Sequence, residues 1–258
     1  MSSGLVSFVG AGPGAADLIT VRGRDVLSRA ETVLYDSLVS ADLLEVCRPE
    51  AELIFVGKRA GQHFTVQAEI NGLLLHHAGL GRHVVRLKGG DPTLFGRLGE
   101  EIEVLQAANI PYEIVPGVTA ACAAAAAAGI SLTQRSVATA AIFAPGHECT
   151  GKDNGAQIDW AALTQPNATL CLYMGVRRLA SVAGQLVAHG LPVDTPVLVV
   201  SDASLSTQKI RSGTLADAKE FSRAAEGYPS LILIGQNVRN HRAARSSAGE
   251  SATVSDLH

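Results

Sequence analysis

The sequence predicts an α/β fold organised as two domains, and three observations carry that expectation. Short β-rich runs alternate with longer segments of helical periodicity from the first residues onward, and the pattern breaks at Pro116-Gly117 before resuming. The chain is 258 residues long and 47% hydrophobic, enough for one large core or two of ordinary domain size. Such alternation argues for parallel strands joined by crossover helices.

Residues 5–9, 32–35, 53–56 and 84–87 read as buried strands. Between the last two, Ile70, Leu73, Leu74 and His77 share one helical face, and Gly79 and Gly81 close the helix. After Lys88 the Gly89-Gly90-Asp91-Pro92 turn leads into a second helix. There Leu98, Ile102 and Leu105 share a face, with Glu100, Glu101 and Glu103 mainly on the other sides. Residues 112–115 form a fifth strand, and the proline-glycine step after it ends the first domain, assigned to residues 1–117.

The second domain, residues 118–239, opens with a helix over 119–128 that is almost all alanine and stops at Gly129. Strands are expected at 139–144, 169–173, 197–200 and 231–234, a helix at 176–189, and an additional edge strand at 207–211. The tail, 240–258, is rich in Ser, Ala and charge and has little to bury, so it is expected to be disordered. No repeat of solenoid spacing occurs.

Composition narrows the function. With 24 acidic and 21 basic residues the formal net charge is -3, which gives no reason to expect a nucleic-acid partner. Cys47, Cys122, Cys149 and Cys171 are scattered, without CxxC pairs or neighbouring His, so neither a metal site nor a disulfide framework is expected and a reducing cytoplasm fits best. No apolar run reaches the roughly 18 residues needed to span a bilayer.

The chemistry-bearing residues cluster at strand ends. Gly10-Ala11-Gly12-Pro13-Gly14-Ala15 follows the first strand and matches the G-x-G-x-x-A dinucleotide fingerprint, and Asp36 stands where such a fold places its ribose carboxylate. Against that reading, Pro13 removes a backbone donor from the loop. Gly89-Gly90-Asp91 sits at the carboxyl end of the fourth strand, where open α/β sheets bind ligands; Asp91 either accepts hydrogen bonds from a ligand or makes an Asx turn. Asp36 suits a general base if burial lifts its pKa, and equally a helix cap. Lys58-Arg59 suits an anionic substrate or plain solvation. Arg97 and Glu100 form either an i, i+3 surface pair or a carboxylate-gripping edge that needs Arg97 to point toward the GGDP turn. Met174, in Tyr173-Met174-Gly175, offers a soft thioether at another strand end, and His147 has no hydrolytic partners.

In order, these segments are GAGPG at 10–14, LYDSLVS at 34–40, VGKRAG at 56–61, RLKGGDP at 86–92, FGRLGEE at 95–101, VPGVTAA at 115–121 and YMG at 173–175. The series resembles the uroporphyrinogen-III C-methyltransferase family over nearly everything from residue 6 to about 238. The resemblance implies two α/β domains of the tetrapyrrole methylase type with the active site in the cleft between them, usually in a homodimer. It implies methyl transfer from S-adenosyl-L-methionine, leaving S-adenosyl-L-homocysteine, to a small-molecule tetrapyrrole: uroporphyrinogen III to precorrin-2 by way of precorrin-1, at the branch to sirohaem and cobalamin. It assigns cofactor contacts to Pro13, Gly89, Gly90, Asp91, Leu94, Thr119, Ala120, Met174 and Ala203, the last where relatives commonly have glycine. It makes Asp36 the proton acceptor and Lys58 the donor, and gives Arg97, Glu100 and Arg135 to the tetrapyrrole; Arg59 is a further cation for the substrate's carboxylates. No metal, nucleic acid or membrane is implied, and the setting is cytoplasmic. Ser37, Thr93, Leu98, Ser131, Gln134 and the segment Ser201-Asp202-Ala203 depart from the family pattern. The alternatives are a sister methylase acting on a later precorrin, a nicotinamide-dependent oxidoreductase and a weakly catalytic binding protein.

Overall fold

The computed structural model describes residues 4–57, 66–146, 158–225 and 227–241. The tail expected to be disordered lies outside the described residues from 242 onward. The chain divides into two compact units, Met1–Ala123 and Ala124–His258.

In the first unit, strands β1 (Val6–Gly10), β2 (Thr32–Tyr35), β3 (Glu52–Phe55), β4 (Val84–Lys88) and β5 (Tyr112–Val115) alternate with helices α1 (Val21–Ser28), α2 (Ala41–Leu44), α3 (Gln67–Gly79) and α4 (Leu98–Ala107). The strands pair in the order β3-β2-β4-β1-β5, all parallel, as the alternation predicts. Alternate side chains of each strand feed opposite cores. Val6, Phe8, Leu34 and Val84 pack with Ile70, Leu74 and Ala78 of α3 and with Leu98 and Leu105 of α4. Val9, Val33, Val85 and Leu87 pack on the other face with Val26 and Leu27 of α1 and Leu43 of α2. Each fully buried leucine, such as Leu34 or Leu74, contributes about 2 kcal/mol.

This layering places the candidate site. β1 and β4 are neighbours, yet α1 leaves β1 over one face and α4 leaves β4 over the other. Chains departing in opposite directions open a crevice outside the carboxyl ends of those two strands.

One expectation is corrected here. Helical periodicity put Glu101 among the outward residues of α4, but it has no exposed surface and lies on the same inner face as Leu98 and Leu105. Arg86 and Lys88, also buried, project from β4 and supply its partners, which is why a carboxylate stays in the core.

In the second unit, helix α5 (Ala120–Ala127) crosses the division and leads to β6 (Ala140–Pro145), α6 (Trp160–Leu163), β7 (Ala168–Tyr173), α7 (Leu179–Ala188), β8 (Pro196–Ser201), β9 (Lys209–Thr214), α8 (Ala218–Ala224) and β10 (Ser230–Ile234). The sheet order is β6-β7-β10-β8-β9. Among the described strands of this sheet only β6 and β7 pair in parallel; β10 runs antiparallel between β7 and β8, and β9 is an antiparallel edge, as its early position after β8 without a helix requires. Leu172, Val199 and Ile232 pack against Leu179, Val182 and Leu186 of α7 and Phe221 of α8.

At the amino ends of the first unit's strands, His77 is 5% exposed. Its Nδ1 lies 3.2 Å from Arg82 NH1. Arginine only donates, so Nδ1 is the unprotonated nitrogen. Burial lowers the pKa of His77 below its ordinary 6.5; Glu52 opposes this, and His76 and Arg82 add lesser lowering effects. The unfolded chain therefore takes up this proton more readily, so the neutral imidazole contributes stability above about pH 6.5 that is lost as pH falls toward the lowered value. Thermal melts between about pH 7.5 and 5.5 are expected to show a falling Tm in wild type and a shallower fall in His77→Gln; parallel slopes would remove His77 as a contributor.

Candidate functional site

The loops at the carboxyl end of the first unit's sheet are joined through their backbones. Gly12 N–H donates to Gly90 O at 3.2 Å and Gly90 N–H to Gly12 O at 2.6 Å, so the loops after β1 and β4 form an antiparallel bridge. Gly12 (φ 81) and Gly90 (φ 68) occupy the left-handed region, where any Cβ is strained. Behind them, a Cβ on Gly117 would stand 2.3 Å from Gly90 O, and one on Gly10 would stand 2.6 Å from Gly117 Cα. The loops after β1, β4 and β5 are thus packed main chain to main chain.

Asp91 ties this knot. Its Oδ2 accepts from Gly117 N at 2.9 Å, and its Oδ1 from Thr93 N at 2.8 Å, the Asx turn anticipated as one of its two roles. On its open side, a Cβ on Gly90 would find Ala120 N and Thr119 Cα no nearer than 3.9 Å. A methyl group is thus accommodated at ordinary van der Waals distance, and the GGDP turn and the first turn of α5 stand side by side.

The dinucleotide alternative loses its geometric support. In that fold the glycine loop opens directly into a helix whose amino end meets the pyrophosphate. Here a 3-10 turn at Ala16–Leu18 intervenes and α1 begins only at Val21, capped by Thr20, whose side chain accepts from Gly23 N. Gly90 and Gly117 occupy the space next to Gly10 and Gly12.

Asp36 ends β2 beside the knot. Its Oδ1 accepts from Leu38 N at 2.9 Å, its Oδ2 lies 3.8 Å from Arg86 NH2, and its side chain keeps 25% exposure. Leu38 in turn packs on Gly89, where a Cβ would meet it at 2.7 Å. Beneath lies the group that sequence reasoning missed: Glu101, bonded to Arg86 Nε at 3.1 Å and Lys88 Nζ at 2.5 Å. Burial pushes the Lys88 ammonium below its ordinary pKa and Arg86 adds to this, while Glu101 and Asp36 oppose it. The signal was present in Val84-Val85-Arg86-Leu87-Lys88, where two cations at i, i+2 of a buried strand share one face and demand a buried anion.

The segment after the GGDP turn is strained. Phe95 (φ 52) and Arg97 (φ 54) are left-handed without being glycine, on the order of 1 kcal/mol each. Between them, a Cβ on Gly96 would meet Pro92 O at 2.7 Å and Lys88 Cε at 3.0 Å. Leu94 is half-buried, and its amide donates to Asp91 O at 3.2 Å. The exposed Arg97 fork closes on Glu100, Nε and NH2 each at 2.7 Å, which is the surface-pair arrangement of the two considered.

In the second unit, β7 and β8 both run antiparallel to β10, so their carboxyl ends emerge at the same sheet edge. That edge carries Met174 (φ 56, 56% exposed) and the buried Ala203, flanked by left-handed Asp202 (φ 49) and Ser204 (φ 74). Gly175 after β7 packs on Gly146 after β6, where a Cβ would stand 2.2 Å from the Gly175 Cα. Arg135 is exposed on a separate turn closed by mutual hydrogen bonds of Gln134 and Ala138 at 2.8 Å. The first unit thus gathers Pro13, Asp36, Gly89, Gly90, Asp91, Leu94, Thr119 and Ala120 at one sheet end, and the second places Met174 and Ala203 together. Lys58, Arg59 and His147 lie outside the described residues. Among the described residues no His, Cys, Asp or Glu cluster is suited to a metal ion.

Comparison with known proteins gives a consistent picture. A family model described as Tetrapyrrole (Corrin/Porphyrin) Methylases matches residues 5–219. The chain is 48% identical over 236 residues to a siroheme synthase of Actinobacillus pleuropneumoniae serotype 7 (strain AP76), covering 92% of this chain and 48% of that protein. It is 46% identical over 240 residues to siroheme synthase 1 of Serratia proteamaculans (strain 568), covering 93% of this chain and 50% of the relative. The chain therefore spans about half the length of the curated relatives it matches. Among solved structures, a uroporphyrin-III C-methyl transferase from Thermus thermophilus complexed with S-adenyl homocysteine superposes with a TM-score of 0.77 at 36% identity, covering 92% of this chain and 99% of that one. A cobalt precorrin-4 methyltransferase of cobalamin biosynthesis gives a TM-score of 0.79 at 33% identity, covering 91% and 95%.

The glycine knot makes a direct prediction about stability. Gly117→Ala must push the three loops apart and is expected to cost about 1–3 kcal/mol, read as a lower urea midpoint at unchanged m-value. Gly72→Ala, in α3 with nothing within 4 Å of the new Cβ, is the control and should gain about 0.5–1 kcal/mol. Equal midpoints for the two variants would contradict the packing.

Proposed function

The chain belongs to the tetrapyrrole (corrin/porphyrin) methylase family, and from that premise we propose that it C-methylates uroporphyrinogen III to precorrin-2 by way of precorrin-1, using S-adenosyl-L-methionine. The observation that carries the reading is the glycine-lined meeting of the loops after β1 and β4, with the Asp36 carboxylate at the end of the neighbouring β2.

S-adenosylmethionine supplies an activated methyl group: the carbon–sulfur bond breaks with its electron pair left on sulfur, and a carbon–carbon bond forms at an electron-rich ring carbon. The chain's residues hold and align the reactants. Gly89, Gly90 and Asp91 with Thr119 and Ala120 offer main-chain and carboxylate groups to the cofactor's polar parts, beside Pro13 and Leu94. Met174 and Ala203 are further cofactor contacts in this reading, as the family resemblance implies. Asp36, part-exposed and oriented by Leu38 N, takes the proton released from the methylated carbon. Lys58 acts as donor, and Arg59, Arg97 and Arg135 bind the substrate's carboxylates, with Glu100 preforming the Arg97 fork in its absence.

The product's place is the branch to sirohaem and cobalamin, because the curated relatives are siroheme synthases and a structural relative belongs to cobalamin biosynthesis. That second relative also favours a later precorrin as the rival substrate. We further propose, from the family resemblance alone, a cytoplasmic homodimer.

An anaerobic assay with S-adenosylmethionine and uroporphyrinogen III, resolving products by mass, is expected to show gain of one and then two methyl units. Methylation of a later precorrin alone would replace this substrate with its rival. Asp36→Asn should bind S-adenosylhomocysteine as wild type does in calorimetry while losing about 100-fold or more in kcat; an unchanged rate would discard Asp36 as base.

A further inference from the structure

Resting on the reading of Asp36 as base, we infer that Glu101 is a positioning residue that acts through Arg86 to keep the Asp36 carboxylate oriented but open. Glu101 has no exposed surface, and its oxygens face different cations. Oε1 accepts from Arg86 Nε at 3.1 Å and from Gln67 Nε2 at 3.3 Å, and Oε2 accepts from Lys88 Nζ at 2.5 Å. Arg86 is 5% exposed, and its NH1 donates to the carbonyls of Leu87 at 3.0 Å and Leu34 at 3.4 Å. Its NH2 faces Asp36 Oδ2 at 3.8 Å. Buried acceptors thus hold the planar fork at Nε and NH1, and NH2 is presented to Asp36 without closing on it.

That separation has a chemical consequence. At 3.8 Å the guanidinium orients the carboxylate electrostatically, beyond the range of a direct hydrogen bond. An Arg–carboxylate pair closed to about 2.8 Å would occupy the oxygen that must receive a proton. Four described charges share the region: Arg86 and Lys88 from β4, Glu101 from α4, and Asp36 at the end of β2. Remove the Glu101 charge and, among the described residues, Arg86 has one carboxylate left to turn to, Asp36. Glu101 therefore competes with Asp36 for Arg86 and restrains the fork.

The rival role is purely structural, with Glu101 neutralising Lys88 inside the core. Two variants of the full chain separate them. Glu101→Gln keeps the shape and removes the charge, and Lys88→Leu with Glu101→Leu removes both charges and leaves no unpaired ammonium to endanger folding. Positioning predicts that both lose about 100-fold in kcat, with S-adenosylhomocysteine affinity within about threefold of wild type. It also predicts that their crystal structures show Arg86 closed on Asp36 at about 2.8 Å. Recovery of kcat in the double variant, or an Arg86–Asp36 separation unchanged from wild type in either, overturns the inference. Should wild type fail to methylate uroporphyrinogen III, the functional reading falls by itself, and the Arg86–Asp36 distance still decides whether Glu101 restrains the fork.

Discussion

Gly10, Gly90 and Gly117 touch through their backbones, and no side chain fits between them. That contact fixes where three strand-end loops can lie, and the rest of the candidate site follows from it. With Gly12 bridged to Gly90, the GGDP turn cannot move independently of β1, and Asp91 extends the constraint to β5 by accepting from Gly117 N. Leu38 on Gly89 and the backbone of Ser37 against Gly57 bring in the loops after β2 and β3. Main-chain packing gives this surface its rigidity with little side-chain entropy involved.

Beneath the knot lies an arrangement that stability alone does not explain. Each ion taken out of water costs several kcal/mol, and a buried charge cluster is often no more stable than well-packed apolar residues of the same volume. Arg86, Lys88 and Glu101 fill positions where Leu or Val would pack against Leu98 and Leu105. What such residues cannot supply is direction. A guanidinium fixed at Nε and NH1 aims its remaining nitrogen, and it aims it at Asp36, the carboxylate at the crevice rim.

The sequence shows the architecture more readily than the site because periodicity reports burial and says little about partners. Residues 32–35 and 112–115 are strands to the residue, the face of α3 follows its spacing, and the alanine run forms a helix as its composition predicts. Strand direction in the second unit is not written locally: β10 lies between β7 and β8 and runs antiparallel to both, a pairing settled across the sheet. The glycines announced the strand-end loops, but their reason lay in contacts across as many as 107 positions of sequence, as between Gly10 and Gly117. Glu101 was misplaced because a charged residue defaults to the surface, a rule that fails when two cations wait on the facing strand.

The departures from the family pattern become intelligible on the same physical terms. Leu98, where glycine is common, begins α4 and sinks to 9% exposure in the core, adding apolar burial where a glycine would add none. Gln134 closes a turn through its main chain, which does not depend on the side chain the family prefers. Ala203 raises the sharpest question, since glycine usually stands there and a strand-end loop often needs positive φ. Here the left-handed residues are Asp202 and Ser204, on either side of it, and Ala203 is not among them. Asp202 bears that conformation while its amide donates to Pro229 O and its carboxylate accepts from Thr207, so the loop over-determines the strain. The position where the family commonly has glycine is thus one whose backbone does not require it.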